Sequence, residues 1–233
     1  MLEKLFAPEV VAEAGEIIRS QFPLAIWETV YVTILSTFFA IVLGLPLGVI
    51  LVVGEKNGIR PLPAWLMRFL NAAINLLRSV PFLILMVLVF PLTRLIVGTV
   101  VGTVASIVPL VIAAFPFVAR LVETSVREVD KGVVEAAQSM GASPLQIVCK
   151  VLIPEARPAL ISNFMVALIT IFGYGAMAGA VGGGGIGRIA VNYGYNRYKP
   201  LVMYFAVVLL IILVQLFQTI GDKLVKKADK RIR

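Results

Sequence analysis

From Ala159 to Val181, and again from Leu201 to Ile220, the chain carries no Asp, Glu, Lys or Arg. An apolar run of about twenty residues is the length a helix needs to cross the roughly 30 Å hydrocarbon core of a bilayer. Within that core each backbone N–H and C=O must find its partner inside the segment or in a closed barrel. Barrel strands are about half as long and alternate in polarity, so unbroken runs of this length dictate helices. A composition of 60% hydrophobic and 15% charged residues over 233 positions, with a mean hydropathy of +0.98, exceeds what a soluble domain carries. The expected fold class is an all-α integral membrane protein folded as one domain.

Five spans are expected. Thr29 to Val53 form the first, where Gly44 and Gly48 flank Pro46 and offer a small-residue face and a kink. Ala64 to Leu77 mixes apolar residues with Arg68, Asn71 and Asn75, and reads as an interfacial helix that bends at Pro81 into a second span ending near Phe90 to Leu92. Arg78 is then placed near the cytoplasmic end, where its head can snorkel or pair. The third span runs from Ala105 to Val118 and continues as helix through Arg120 and Glu123, with bends expected at Pro109 and Pro116. Ala159 to Val181 and Leu201 to Ile220 complete the set, so that residues 23–220 form the transmembrane domain. Ahead of them, residues 1–22 space Val10, Val11, Ile17 and Ile18 among Glu3, Glu9, Glu13 and Glu16, with Lys4 and Arg19. That pattern predicts a short amphipathic helix on the outer membrane surface. The opening MLEKLFAPEVVAEAG lacks the basic, apolar and small-residue regions of a cleaved signal, so none is expected.

Five spans put the termini on opposite sides. With the C-terminus inside, four Lys/Arg between residues 56 and 78, five between 120 and 157 and six after 221 are cytoplasmic, fifteen of the 21. The positive-inside bias therefore predicts an external N-terminus and a basic cytoplasmic tail over residues 221–233. In this setting the net charge of +8 marks topology and anionic headgroups rather than nucleic acid. The chain has no His and one Cys, Cys149, which removes zinc clusters, disulfide frameworks and Ser/His or Cys/His nucleophile pairs. Cys149 is expected as a small packing residue. No cofactor and no metal are expected in this chain.

Between the third and fourth spans lies a polar segment with clear local logic. Asp130 can cap a helix from Lys131 to Met140, and Gly141 can take the left-handed conformation that ends it. Ser143, Pro144 and Gln146 form a capping box for a second helix, which Pro154 is expected to stop. Val133, Val134, Ala137 and Met140 on the first helix, and Leu145, Val148 and Leu152 on the second, can pack together or present a knob to a partner's groove. The same text imitates a DNA-binding helix-turn-helix, but Gln146 and Lys150 are its sole base readers and it is tethered between spans. A loop lying on headgroups is the bland alternative.

Gly182 to Gly187 satisfies GxGxxG, yet it follows an apolar helix rather than a strand and has no acidic residue at the ribose distance. It also lacks the Lys and Ser/Thr of a phosphate loop, so the chain is not expected to hold ATP in that way. Gly175, Gly179 and Gly183 at four-residue spacing predict close helix approach, with a hinge over residues 182–185. Tyr174, Met177 and Gly183 are candidate pathway or gate residues, because a polar tip, an adaptable thioether and a hinge suit a moving constriction. The carboxylate-free fourth and fifth spans speak against an ion-coupled secondary transporter.

Glu135, Ala136, Ala137, Gly141, Val151, Ile153 and Pro154 together resemble the EAA signature of permease subunits in bacterial ATP-binding-cassette (ABC) importers. WETVYVT, RSVPF, VPLVIAAFPFVAR and the glycine cluster are similar to the methionine-uptake permeases of that superfamily, over almost the whole chain after residue 25. The resemblance implies a type I importer permease of five transmembrane helices with cytoplasmic coupling helices. It assigns Glu135, Ala136, Ala137, Gly141, Ser143 and Pro154 to docking on a separate ATPase, and the glycine region to the neighbourhood of an outward gate. It further implies two ATPase subunits carrying ATP and Mg, an external solute-binding protein, and methionine or another amino acid as substrate. A single five-span half needs a second copy to enclose a pathway, so a homodimer in the bacterial inner membrane is expected.

Overall fold

A computed structural model describes residues 8–228, and among them every regular element is helical. Helix α1 is Pro8–Val53, α2 Ala64–Ser79, α3 Phe82–Leu88, α4 Phe90–Val97 and α5 Ile107–Arg127. Two short helices follow, α6 Lys131–Ser139 and α7 Pro144–Ile147, the latter continuing through a π turn, Val148–Leu152, into a last turn, Ile153–Glu155. The chain then runs through α8 Arg157–Ala178, α9 Gly185–Ile189 with a π-helical extension Ala190–Tyr195, and α10 Pro200–Ala228. The described chain divides into two compact units. The first takes residues 8–36, Pro81–Val111 and Leu168–Phe217, and the second takes Thr37–Val80, Ile112–Ala167 and residues 218–228.

The expectation of a separate short helix at the N-terminus is corrected, for the part within the described residues. Residues 8–22 are the first turns of α1, which is uninterrupted over 46 residues through Pro23 and Pro46. At about 1.5 Å per residue that is about 69 Å, more than twice a bilayer core. Ala14, Ile17, Phe22 and Ala25 are buried against Ile186, Ile189, Val202 and Ala206 in the core of the first unit. Phe22 meets Phe205 edge-on, with ring centroids 4.9 Å apart. Residues 1–7 and 229–233, including Glu3, Lys4 and the end of the basic tail, lie outside the described residues.

Four helical stretches among the described residues are long and apolar enough to cross a membrane, five if the pair α2 and α3, bent by 107°, is counted as one broken span. The bend falls at Pro81, as expected, and Pro81 is the N-cap of α3. The helix after Pro81, expected to run to about Phe90 to Leu92, ends at Leu88 after 7 residues, and α4 begins at Phe90. At about 10 Å α3 cannot cross a bilayer core alone. In the second unit Gly48 provides the close helix approach that lipid-embedded bundles rely on, since lipid tails leave van der Waals packing to hold helices together. A Cβ at Gly48 would lie 2.6 Å from Val122 Cβ on α5. Asn163 of α8 donates to Ser125 Oγ (2.8 Å) and to the Leu121 carbonyl (3.3 Å), joining α8 to the same face of α5.

Candidate functional site

The polar segment of the second unit folds into an elbow. Asp130 Oδ1 accepts the Gly132 N–H at 2.7 Å, which caps α6 and places a carboxylate at its positive end. At the other end Gly141 has φ 77°. The Gly141 N–H donates to the Gln138 carbonyl (2.9 Å) and the Ala142 N–H to the Ala137 carbonyl (3.1 Å), the paired bonds of a Schellman motif. Only two residues later the capping box closes: the Ser143 N–H donates to Gln146 Oε1 at 2.8 Å and the Gln146 N–H to Ser143 Oγ at 3.4 Å. Both helix ends are thus satisfied by the turn itself, which fixes the chain direction between α6 and α7.

The elbow's apolar residues divide into two sets. Ala137, Ile147, Leu152 and Ala156 are buried, tying it to the second unit. Met140 and Leu145, on either side of Gly141, are 82% and 73% exposed. Glu135 and Ala136 are exposed on α6. Glu135 also lines a cavity of about 690 Å³ together with Lys131, Gln138, Arg127 and Glu55. The expectation that Pro154 stops the second helix is corrected. The π turn over Val148–Leu152 carries an i→i+5 bond, Ile153 N–H to the Val148 carbonyl, and Pro154 occupies the first turn of the helical stretch that follows, where no N–H is required. The break comes at Ala156, just before Pro158.

The glycine region of the first unit is built around Glu28. Its Oε2 accepts the Gly185 N–H at 2.7 Å and its Oε1 accepts the Thr103 hydroxyl at 2.8 Å. Thr29 Oγ1 accepts the Ile186 N–H at 2.9 Å, so two side chains of α1 cap the first turn of α9. Gly182 (φ 93°) and Gly185 (φ 78°) make the turn that brings α9 back along the end of α8. A Cβ on Gly187 would press into the Ala176 backbone, 2.7 Å from its Cα. The expected glycine face is corrected accordingly: α8 ends at Ala178, so Gly175 lies in it while Gly179 starts a 3-10 turn and Gly183 follows, its N–H on the Ala178 carbonyl (2.9 Å). Tyr174 stacks flat on Phe82 at 4.7 Å, and Met177, three residues on, is half exposed.

The structure therefore brings Glu135, Ala136, Ala137, Gly141 and Ser143 into one elbow, with Pro154 beyond its second helix, while Tyr174 and Met177 share α8 without Gly183. Two constellations were not singled out from the sequence. One is Glu28 with Thr29 and Thr103, signalled by a carboxylate at the head of an apolar run. The other is the pairing of Arg127 with Glu55 and Glu123, of which the i,i+4 half was readable from spacing. Among the described residues no group of three His, Cys, Asp or Glu side chains could hold a metal ion.

Over residues 44–233 the chain matches the family described as binding-protein-dependent transport system inner membrane component. It is 53% identical over 208 residues to the probable D-methionine transport system permease protein MetI of Vibrio cholerae serotype O1, covering 89% of this chain and 92% of that one. It is 49% identical over 160 residues to the methionine import system permease protein MetP of Bacillus subtilis, 69% and 72% of the two chains. In a solved structure described as inward facing conformations of the MetNI methionine ABC transporter, native crystal form, one chain superposes with a TM-score of 0.89 at 46% identity, covering 92% of this chain and 99% of that chain.

Proposed function

The chain belongs to the family of binding-protein-dependent transport system inner membrane components, and on that premise we propose that it is the permease subunit of an ATP-driven methionine importer. Identity to proteins named for methionine transport supports the substrate. The likeness to a chain of the MetNI transporter supports assembly as a type I importer. In this reading two copies enclose the pathway, two ATPase subunits bind on the cytoplasmic side and carry ATP and Mg, and an external solute-binding protein delivers methionine. The N-terminus is external and the C-terminus cytoplasmic, as the distribution of Lys and Arg favours.

The observation that carries the energy-coupling part is the exposure of Met140 and Leu145 at the tip of a doubly capped elbow. Two large apolar side chains held at a rigid turn are suited to a partner's groove, and covering each one contributes about 1.5–3 kcal/mol. Glu135 adds a charge-assisted contact along the same helix. ATP-driven approach of the two ATPases moves the elbows, and the helices attached to them alternate between inward-open and outward-open arrangements. Gly183 and its neighbours, with Tyr174 and Met177, are assigned to the outward gate.

Purification of the complex followed by reconstitution into liposomes tests this reading. Methionine uptake should require ATP, the ATPase subunits and the binding protein together. Uptake that persists without the ATPase would overturn the assignment, and equal uptake of other amino acids would overturn the substrate.

A further inference from the structure

A chain of six polar side chains crosses the second unit. Arg127 grips Glu55 with both terminal nitrogens, Nη1 at 3.0 Å from Oε2 and Nη2 on Oε1. Arg127 Nη2 also donates to Glu123 Oε1 at 2.8 Å. The second oxygen of Glu123 accepts Arg120 Nη1 at 2.6 Å. Arg120 Nη2 then reaches Asn71 Oδ1 (2.8 Å) and Asn75 Oδ1 (3.0 Å), two residues one turn apart on α2. α2 is thus held at two places: directly at Asn71 and Asn75, and through the turn that carries Glu55.

That turn is stiff. Its backbone is cross-bonded by the Arg60 N–H to the Val53 carbonyl (3.1 Å) and the Leu62 N–H to the Gly54 carbonyl (2.9 Å), just before α2 begins at Ala64. Arg127 is the last residue of α5, and α6 begins at Lys131. Any displacement of α6 therefore acts on Arg127 within one helical turn of sequence. Arg127 and Glu55 line the cavity of about 690 Å³, together with Asn57 and Ile59 of the turn and Val134 and Gln138 of α6. The fork joins this turn to the last residue of α5, four positions before α6 begins.

We propose that the Arg127–Glu55 fork is a relay inside the permease: it passes movement of the elbow to the turn before α2, and so positions α2 for the transport step. The inference rests on the proposed function. A planar guanidinium paired with a carboxylate through two parallel bonds transmits direction as well as attraction, which a lysine or an apolar contact does not. The side chains of Arg127 and Glu55 are 44% and 42% exposed, so water can replace either partner when the fork opens, and the link can break and re-form within each cycle. The cavity beside it gives the moving elements room.

The test is a double-mutant cycle on the reconstituted transporter, with methionine imported per ATP hydrolysed as the readout. Association of the ATPase is measured alongside. Glu55→Gln should lower this ratio about three- to fivefold while ATPase binding stays unchanged, and should have no further effect in an Arg127→Gln background. Arg127→Lys keeps the charge but removes the fork, and should cost about twofold; it serves the same cycle if Arg127→Gln accumulates poorly. A wild-type ratio in Glu55→Gln would overturn the proposal, as would an equal loss in both backgrounds. Failure of the wild-type permease to bind the ATPase would instead overturn the proposed function itself.

Discussion

Gly141 offers the cleanest perturbation of the elbow, because the structure separates its two possible roles. A Cβ built there meets nothing within 4 Å, so a substitution introduces no clash. Its φ of 77° remains the sole obstacle. An L-residue in the left-handed region costs about 1–2 kcal/mol, more for a β-branched side chain and less for Asn. Relaxing that φ breaks both Schellman bonds, from Gly141 to Gln138 and from Ala142 to Ala137, and changes the angle at which α7 leaves α6. If docking requires this angle, the cost appears in the association of the ATPase. Gly141→Ala should weaken it about fivefold and Gly141→Val about thirtyfold, with Gly141→Asn close to wild type. Titration of labelled ATPase subunit onto permease in nanodiscs measures the affinities, and yield from membranes reports insertion, which should not change. Wild-type affinity in Gly141→Val would refute the reasoning. So would an Asn variant as damaged as the Val variant, since that would implicate the side chain rather than the backbone.

Glu135→Ala should weaken energy coupling by about 1–3 kcal/mol, lowering transport and substrate-stimulated ATP hydrolysis together while delivery by the binding protein is retained; normal transport would place Glu135 on headgroups instead. Gly48→Ala forces a methyl group against the Ala119 carbonyl and Val122, and should lower stability by about 1–3 kcal/mol, read as a drop in Tm in detergent. Glu28→Ala leaves the Gly185 N–H without its acceptor and should cost about 1–3 kcal/mol in the same assay, with Glu28→Gln milder because one acceptor oxygen remains. With Cys149 replaced by Ser, cysteines introduced at positions 8 and 228 should label from outside and inside intact cells respectively, and equal external labelling would rule out the topology.

The elbow was legible from sequence because every device in it works over five positions or fewer. Asp130, Gly141, Ser143 and Gln146 each satisfy a neighbour's backbone, and their spacing alone identifies the partner. Pro154 misled for a related reason: the rule that proline ends a helix assumes an unbroken i→i+4 ladder, and the π turn at Val148–Leu152 removes that assumption. Glu28 and Gly185 lie 157 positions apart, and Arg127 and Glu55 lie 72 apart, so no local rule joins either pair. The burial of Ala14, Ile17 and Phe22 was hidden more deeply. In water an apolar stripe must face a core, so periodicity locates the inside. Lipid tails are as apolar as leucine, and an apolar face in a bilayer is equally content against lipid or protein. The polar and glycine positions then carry the information that apolar positions carry in soluble proteins. Glu28, Asn163 and Arg120 each cost free energy in lipid unless a partner is supplied, and Gly48 is favoured where another backbone comes close. Reading such a chain inward therefore means beginning from its few polar residues and asking which segment could satisfy each.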